Sequence, residues 1–101
     1  MLRIRVTGTS AAQTRVEVAG LLDVTGSTTL LTHLDRLIDG GRRHLVVDVS
    51  GITFCDSSGI SALVRSRSRA VEAAGSLRLV SPSPAVRRVL DITGLARMFE
   101  R

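Results

Sequence analysis

Alternation of apolar and polar residues opens the chain. "LRIRVTG", from Leu2, and "TRVEVAGLL", from Thr14, place apolar side chains at every second position, the period of a half-buried strand. The polar segment "TSAAQ" between them has the length and composition of a hairpin connection. The pattern therefore predicts two paired strands at the start of the chain.

A helical period replaces this alternation after Asp23. Leucines and an isoleucine recur at helical spacing from Leu30 to Ile38, which predicts an amphipathic helix. Gly40 and Gly41 follow and are typical of a helix C-terminus. The next segment, "HLVVDVS", is a compact β-branched run that predicts a strand covered on both faces.

A second helix is predicted to run to about residue 74. Its apolar stripe consists of Ile60, Leu63, Val64, Val71 and Ala74, and it is interrupted by Arg67.

The remaining residues predict one more strand and one more helix. "SLRLVS" follows Gly75 and has the composition of a short strand. In "SPSPAVRRVLDITG", Ser83 is a suitable cap for a helix that starts at Pro84 and stops at Gly94. We expect Val86, Val89 and Leu90 to form its inner face. "LARMFER" predicts a last helical turn that packs Leu95, Met98 and Phe99 onto the core.

The element order is thus β-β-α-β-α-β-α, which predicts one α/β domain over residues 1–101. A strand–helix–strand connection within one sheet is nearly always parallel and right-handed. We therefore expect a small mixed four-stranded sheet packed with helices. Sites in open sheets of this kind lie at the carboxyl ends of strands. The segments there, 20–27 and 54–59, are rich in hydroxyls, glycine and aspartate.

The amino-acid composition limits the kinds of protein that this chain can be. The 101 residues are 44% hydrophobic and include only two aromatic side chains, so the core must be aliphatic. No apolar run approaches the roughly 18 residues of a membrane span, and "MLRIRVTG" is no secretory signal. A lone Cys55 fits a reducing cytosol, and we expect it to be a small packing residue. One Cys and two scattered His lack metal-ligand spacing, so no metal or cofactor is expected.

The charge is strongly positive. All 14 basic residues are arginines, against nine acids, which gives a net charge of +5. Such a chain attracts acidic partners, and "RSRSR" in the second helix admits a basic nucleic-acid-binding domain as an alternative. The near absence of aromatic stacking platforms argues against that alternative. We expect no direct nucleic-acid partner and no membrane partner.

The segment "TFCDSSGIS", residues 53–61, interrupts the apolar pattern with a carboxylate and two hydroxyls. In one interpretation, Asp56 or Ser57 caps the second helix and does nothing more. In the other, a helix N-terminus tolerates a phosphate on one of the serines, and the new charge repels a docked partner. On a helical wheel Ser58 points further from the apolar stripe than Ser57, so exposure by itself favours Ser58 as acceptor.

The segment "VVDVSGITFCDSSGISAL" closely resembles the signature of the STAS domain, as found in single-domain anti-sigma factor antagonists. The resemblance extends to "VAGLLDVTG" and "SPSPAVRRVLDITGL" and spans nearly the whole chain. It implies a cytoplasmic protein, without enzyme activity of its own, that binds an anti-sigma factor and so releases a sigma factor. The resemblance further implies that this partner is a serine kinase of the histidine-kinase-like ATPase class, and that a metal-dependent serine phosphatase reverses its action.

The resemblance also implies roles for individual residues. The acceptor is Ser57, directly after the motif aspartate Asp56, and Gly59 lets the partner approach. Leu21 stands where the family often has a charged residue, so the contacts of that loop are open. The implied partner-binding residues are Gly20, Leu21, Leu22, Asp23, Asp56, Ser58, Gly59, Ile60 and Ser61.

Other functions stay open at this stage. STAS domains also serve as docking subunits of stress-sensing assemblies and of lipid-transport complexes, where no sigma factor is released. Catalysis by the chain itself would need Ser57, a histidine (His33 or His44) and Asp48 within reach of one another. The G-x-S-x-G nucleophile motif is absent, so we do not expect an enzyme.

Overall fold

The computed structural model describes residues 1–10 and 12–99, and its elements follow the predicted order. The strands and helices are β1 (Leu2–Thr9), β2 (Thr14–Leu22), α1 (Val24–Asp39), β3 (His44–Cys55), α2 (Ser57–Glu72), β4 (Ser76–Val80) and α3 (Pro84–Thr93). A 3₁₀ turn, Ala96–Phe99, ends the described part of the chain.

The sheet is mixed, as predicted. Its spatial order is β1-β2-β3-β4; β1 pairs antiparallel with β2, while the β2–β3 and β3–β4 pairs are parallel. Because α1 and α2 are the crossovers between parallel neighbours, the carboxyl ends of β2 and β3 meet at one edge of the sheet. Both helices begin at this edge, so their N-termini lie side by side.

The core lies on one face of the sheet. Along β2, Thr14, Val16 and Val18 are buried, while Arg15 and Glu17 between them are partly exposed. The buried valines join one apolar cluster with side chains from β3, β4 and all three helices. The start of β3 is buried on both faces, as predicted: Leu45 and Val47 belong to the core, and Val46, on the opposite face, is also buried.

Local signals define α3 and the final turn as predicted. The Ser83 hydroxyl accepts a hydrogen bond from the Val86 amide, Pro84 is the first helical residue, and Gly94 ends the helix in a left-handed conformation. Phe99 is buried in the core, and Leu95 and Met98 pack against it. The last two residues of the predicted turn, 100–101, lie outside the described residues.

Helix α2 departs from its predicted stripe. Val71 is half-exposed, and Ala74 is exposed beyond the helix with a positive φ of 63°. The buried positions after Leu63 are instead Ser66 and Ala70. These small residues continue the helical period, but they do not stand out in a hydropathy pattern, which favours the larger Val71 for the inner face.

Candidate functional site

The β2–α1 and β3–α2 junctions each consist of a single aspartate. β2 ends at Leu22 and α1 begins one residue after Asp23; β3 ends at Cys55 and α2 begins one residue after Asp56. Leu22 and Cys55 are register partners, so the two aspartates follow paired positions at one edge of the sheet. The predicted loops 20–27 and 54–59 are therefore together, as expected, but much shorter. Strand β3 continues to Cys55, five residues beyond the predicted segment "HLVVDVS".

Both aspartates cap the helix that follows. Asp23 Oδ1 accepts a hydrogen bond from the Gly26 amide at 2.9 Å. Asp56 Oδ1 accepts from the Ser58 and Gly59 amides at 3.0 and 3.2 Å. The capping role considered for Asp56 is thus confirmed. These bonds satisfy amides that have no partner inside the helix.

The pKa of the Asp56 carboxyl is lowered, chiefly by the hydrogen bond from the Ser58 hydroxyl and further by the capping amides. Burial opposes this lowering in part. The carboxylate is therefore ionised at neutral pH and places a fixed negative charge beside both serines.

The two serines have different surroundings. Ser58 is half-buried; its hydroxyl donates to Asp56 Oδ1 and lies 3.3 Å from Ser27 Oγ. Ser57 is exposed, and its hydroxyl makes no hydrogen bond with another residue of the described chain. The helical-wheel expectation that Ser58 is the more exposed serine is therefore wrong, because the cap folds the Ser58 hydroxyl back toward α1. Among the two, Ser57 is the hydroxyl open to a reacting group.

Ser27 connects the two helix starts, and sequence reasoning did not single it out. Its hydroxyl donates to the Asp23 carbonyl oxygen at 2.6 Å and contacts Ser58 Oγ. Ser27 lies four positions after Asp23, a spacing at which a serine hydroxyl can bond back to the backbone carbonyl of the preceding helical turn. The contact with Ser58 depends on the packing of α1 beside α2, which local sequence does not reveal.

Three of the predicted partner-binding residues are buried. Leu22 and Ile60 belong to the core, and Gly59 is buried between them at the start of α2. A side-chain carbon added at Gly59 would lie 2.7 Å from Leu22 Cγ. Gly59 therefore makes room for Leu22 of the same domain, and all three residues hold the helix start against the sheet, so their predicted part in partner binding is to position the accessible residues beside them.

The other predicted contact residues are at least partly accessible. Leu21 is 40% exposed, Ser61 is exposed on α2, and Asp23 is half-buried. Gly20 is half-buried with φ of 105°, and a side-chain carbon there would meet the Met1 carbonyl oxygen at 2.1 Å. Gly20 is therefore a backbone requirement of the β1–β2 pairing.

Exposed apolar side chains surround the site. Phe54 is 47% exposed and is the register partner of Leu21. Val24, the first residue of α1, is 68% exposed. Sequence reasoning missed Phe54 and Val24 as surface residues, although exposed apolar positions beside a hydroxyl cluster are typical of a docking site.

Cys55 is a packing residue, as predicted. Its side chain is half-buried against the core, and its thiol lies 3.6 Å from the Asp56 carbonyl oxygen. Burial, with the nearby Asp56 charge, raises the pKa of the thiol to about 11. The thiol is therefore protonated and unreactive at neutral pH.

Two candidates for a hydrolytic triad, His44 and Asp48, make their contacts away from Ser57. His44 stands at the start of β3, the opposite end of that strand from Ser57, and its Nδ1 lies 2.8 Å from Ser76 Oγ. Asp48 pairs with Arg15 at 3.0 Å. Across residues 1–10 and 12–99, no three His, Cys, Asp or Glu side chains are close enough to share a metal ion. No helix in this part of the chain is long and apolar enough to cross a membrane.

The fold has counterparts in known proteins. The family model of the STAS domain matches residues 3–101. This chain belongs to the STAS domain family. Its fold agrees with the family's, a four-stranded mixed sheet with three helices.

Solved structures support the same fold. An anti-sigma factor antagonist from Mycobacterium paratuberculosis is similar with a TM-score of 0.85 and 24% identity, over 99% of this STAS domain and 84% of that chain. The anti-sigma factor antagonist SpoIIAA in its unphosphorylated form has a TM-score of 0.81 and 21% identity, covering 94% and 84%. The Bacillus cell fate determinant SpoIIAA in the phosphorylated form has a TM-score of 0.74 and 21% identity, covering 94% and 86%.

Proposed function

We propose that this STAS domain is an anti-sigma factor antagonist switched by phosphorylation of Ser57. The unphosphorylated form binds a cytosolic anti-sigma factor, which is a serine kinase of the histidine-kinase-like ATPase class, and thereby releases a sigma factor. Phosphorylation ends the binding, and a metal-dependent serine phosphatase restores it. The observation that carries the proposal is an exposed, uncommitted hydroxyl at the first position of α2, in a domain similar in fold to SpoIIAA in both of its forms.

The domain is the substrate in this scheme, and the kinase supplies the catalysis. The Ser57 oxygen bonds to the γ-phosphorus of ATP, its proton passes to a base of the kinase, and ADP leaves. The modified serine carries about −1.5 to −2 charges at neutral pH. The positive end of α2 offsets part of this charge, so the fold tolerates it.

An interface over the same residue does not tolerate it. The Ser58 and Gly59 amides already bond to the Asp56 carboxylate, so the phosphate stands beside a fixed negative charge. Two adjacent negative groups under a docked partner lose solvation and repel each other. The accessible contact residues in this proposal are Gly20, Leu21, Asp23, Asp56, Ser58 and Ser61.

The residue assignment is tested by phosphate transfer. Each purified anti-sigma factor kinase of the source bacterium is incubated with ATP and the wild-type domain, and with the Ser57→Ala and Ser58→Ala variants. We expect one phosphate on the wild type, none on Ser57→Ala, and one on Ser58→Ala, which is the matched control. Phosphate on Ser57→Ala but not on Ser58→Ala would overturn the assignment, and no transfer from any kinase would overturn the proposed function.

The charge mechanism is tested by Ser57→Asp with Ser57→Asn as its uncharged isostere. We expect Ser57→Asp to weaken kinase binding at least tenfold, equivalent to about 1.4 kcal/mol, and Ser57→Asn to weaken it much less. Both variants should unfold within a few degrees of wild type because the side chain is exposed. Titration calorimetry measures the affinities, and equal affinities for Asp and Asn would refute charge repulsion.

Asp23 is tested with a substitution that preserves the cap. Asp23→Ala should lower the unfolding free energy by about 1 kcal/mol because it removes the acceptor for the Gly26 amide. Asp23→Ser retains a capping oxygen, so it should leave stability nearly unchanged while weakening kinase binding. An unchanged affinity in Asp23→Ser removes this carboxylate from the interface.

A further inference from the structure

The sheet has a second face, opposite the helices, and several arginine side chains lie on it. Arg3 and Arg5 on β1 lie opposite Ala19 and Glu17 on β2. These four residues line a depression of about 340 Å³. We call this side of the sheet the open face, because in the described chain the core and the helices lie on the other side.

Arginine stems cover the centre of the open face. Val46 on β3 is flanked by Arg15 on β2 and Arg78 on β4, and it is only 3% exposed although it stands apart from the core cluster. Arg15 reaches along β3 to pair with Asp48, so its aliphatic stem passes Val46. The open face therefore presents arginines around a buried valine.

The open face keeps a positive charge after its internal ion pairs are formed. Arg5 pairs with Glu17 at 3.1 Å, and Arg15 pairs with Asp48 at 3.0 Å. Arg3 and Arg78 form no ion pair with any residue in the described ranges. Two guanidinium groups thus remain available to carboxylates outside the domain.

An apolar pair ends the open face at the edge where Ser57 lies. Leu21 and Phe54 are register partners because β3 skips Thr53 in its pairing with β2. This irregularity turns Phe54 to the open side of the sheet, and Leu21 alternates with the buried Leu22. Leu21 is two residues from Asp23, and Phe54 is two residues from Asp56. The apolar pair therefore lies, along both strands, between the arginines of the open face and the aspartates that cap α1 and α2.

We propose that the kinase also docks on the open face, through an acidic surface patch that surrounds an apolar side chain seated against Leu21 and Phe54. This inference rests on the proposed function and extends its interface. An apolar centre containing an aromatic ring, with arginines around it, is the composition typical of protein–protein interfaces. The unpaired guanidinium groups of Arg3 and Arg78 select a carboxylate-bearing partner.

Nucleic acid is the less suitable occupant of this face. Phe54 is its one aromatic side chain, so successive bases would find no row of stacking platforms. Glu17 and Asp48 also place carboxylates among the arginines, where they would repel a phosphate backbone.

The inference is tested by the kinetics of kinase binding. Arg3→Glu/Arg78→Glu reverses two charges on the open face, and Arg36→Glu/Arg42→Glu reverses two exposed charges at the far end of α1 as a matched control. We expect the first pair to slow association about tenfold at low salt and the control to slow it much less. Added salt should diminish the difference. Surface plasmon resonance at low and at physiological salt measures both rates.

A second pair of variants tests the apolar end. Phe54→Ala should raise the dissociation rate at least about fivefold, whereas Val71→Ala, at a similarly exposed position on α2, should leave it near the wild-type value. Thermal unfolding of every variant checks that the fold is intact.

The outcomes separate the two proposals. If Ser57→Asp abolishes binding but the open-face variants bind like their controls, the open-face inference is wrong and the proposed function stands. If the open-face variants lose binding while Ser57→Asp does not, the docking surface stands without the phosphorylation switch. A short fluorescent DNA duplex that binds the wild type at physiological salt, but not Arg3→Glu/Arg78→Glu, would overturn the assignment of this face to an acidic protein.

Discussion

The contact between Gly59 and Leu22 allows a quantitative prediction for Gly59→Ala. The added carbon would lie 2.7 Å from Leu22 Cγ, 2.8 Å from the Leu22 carbonyl oxygen and 2.9 Å from Leu22 Cδ2. Ordinary contacts of this kind start at 3.4 Å, so the start of α2 and the end of β2 must separate by about 0.7 Å. Because one of the three atoms belongs to the backbone, a rotation of the leucine side chain cannot relieve the clash.

The expected cost follows from two opposing effects. Overpacking at a buried position typically costs about 1–3 kcal/mol. Alanine is favoured over glycine in a helix by up to about 1 kcal/mol, which offsets part of that cost. Subtracting the full offset from the middle of that range leaves a net loss of about 1 kcal/mol, which lowers the melting temperature by about 4–8 °C in a domain of this size.

Urea and thermal unfolding measure the effect, with Gly8→Ala as the control. An added carbon at Gly8 would have only Arg15 Cβ nearby, at 3.8 Å, so that variant should be as stable as wild type or slightly more stable. The urea midpoint of Gly59→Ala should fall without a change in the slope. A Gly59→Ala domain that unfolds at the wild-type midpoint would refute the close approach of α2 to Leu22.

Two further predictions concern titrating groups near the site. The pKa of the Cys55 thiol is raised from 9.0 to about 11, so below pH 9 the folded domain holds roughly a hundredfold less thiolate at this position than an unperturbed thiol would. Because the thiolate is the reacting form, Cys55 in the folded domain should react with iodoacetamide about a hundredfold more slowly than in the unfolded chain. Equal rates would contradict the argument from burial. The lowered pKa of Asp56 means that its contribution to stability is complete above the unfolded-state pKa near 3.9 and disappears as the pH falls through the lower folded-state pKa. Asparagine also caps helices but does not titrate in this pH range. The wild type should therefore exceed Asp56→Asn in unfolding free energy by a margin that diminishes below about pH 4. A margin that is independent of pH would contradict the lowered pKa of Asp56.

Local sequence determined the elements and the position of the site. Each local signal involves residues that are close in sequence: the apolar spacing within α1, the Ser83 cap at the start of α3 and Gly94 at its end. Such signals can be identified from the sequence without knowledge of the fold. The order of strands and helices then required both aspartate junctions to meet at the carboxyl edge of the sheet.

Tertiary structure alone decided which groups face outward at that edge. Exposure of Ser57 rather than Ser58 depends on the bond of Ser58 to Asp56 and on Ser27 from the neighbouring helix. The role of Gly59 depends on Leu22, which is distant in sequence, and the outward turn of Phe54 depends on an irregular register with β2. A hydropathy pattern depends on the residues of one segment. These features depend on contacts between segments that are distant in sequence, so they are determined only when the strands and helices pack together.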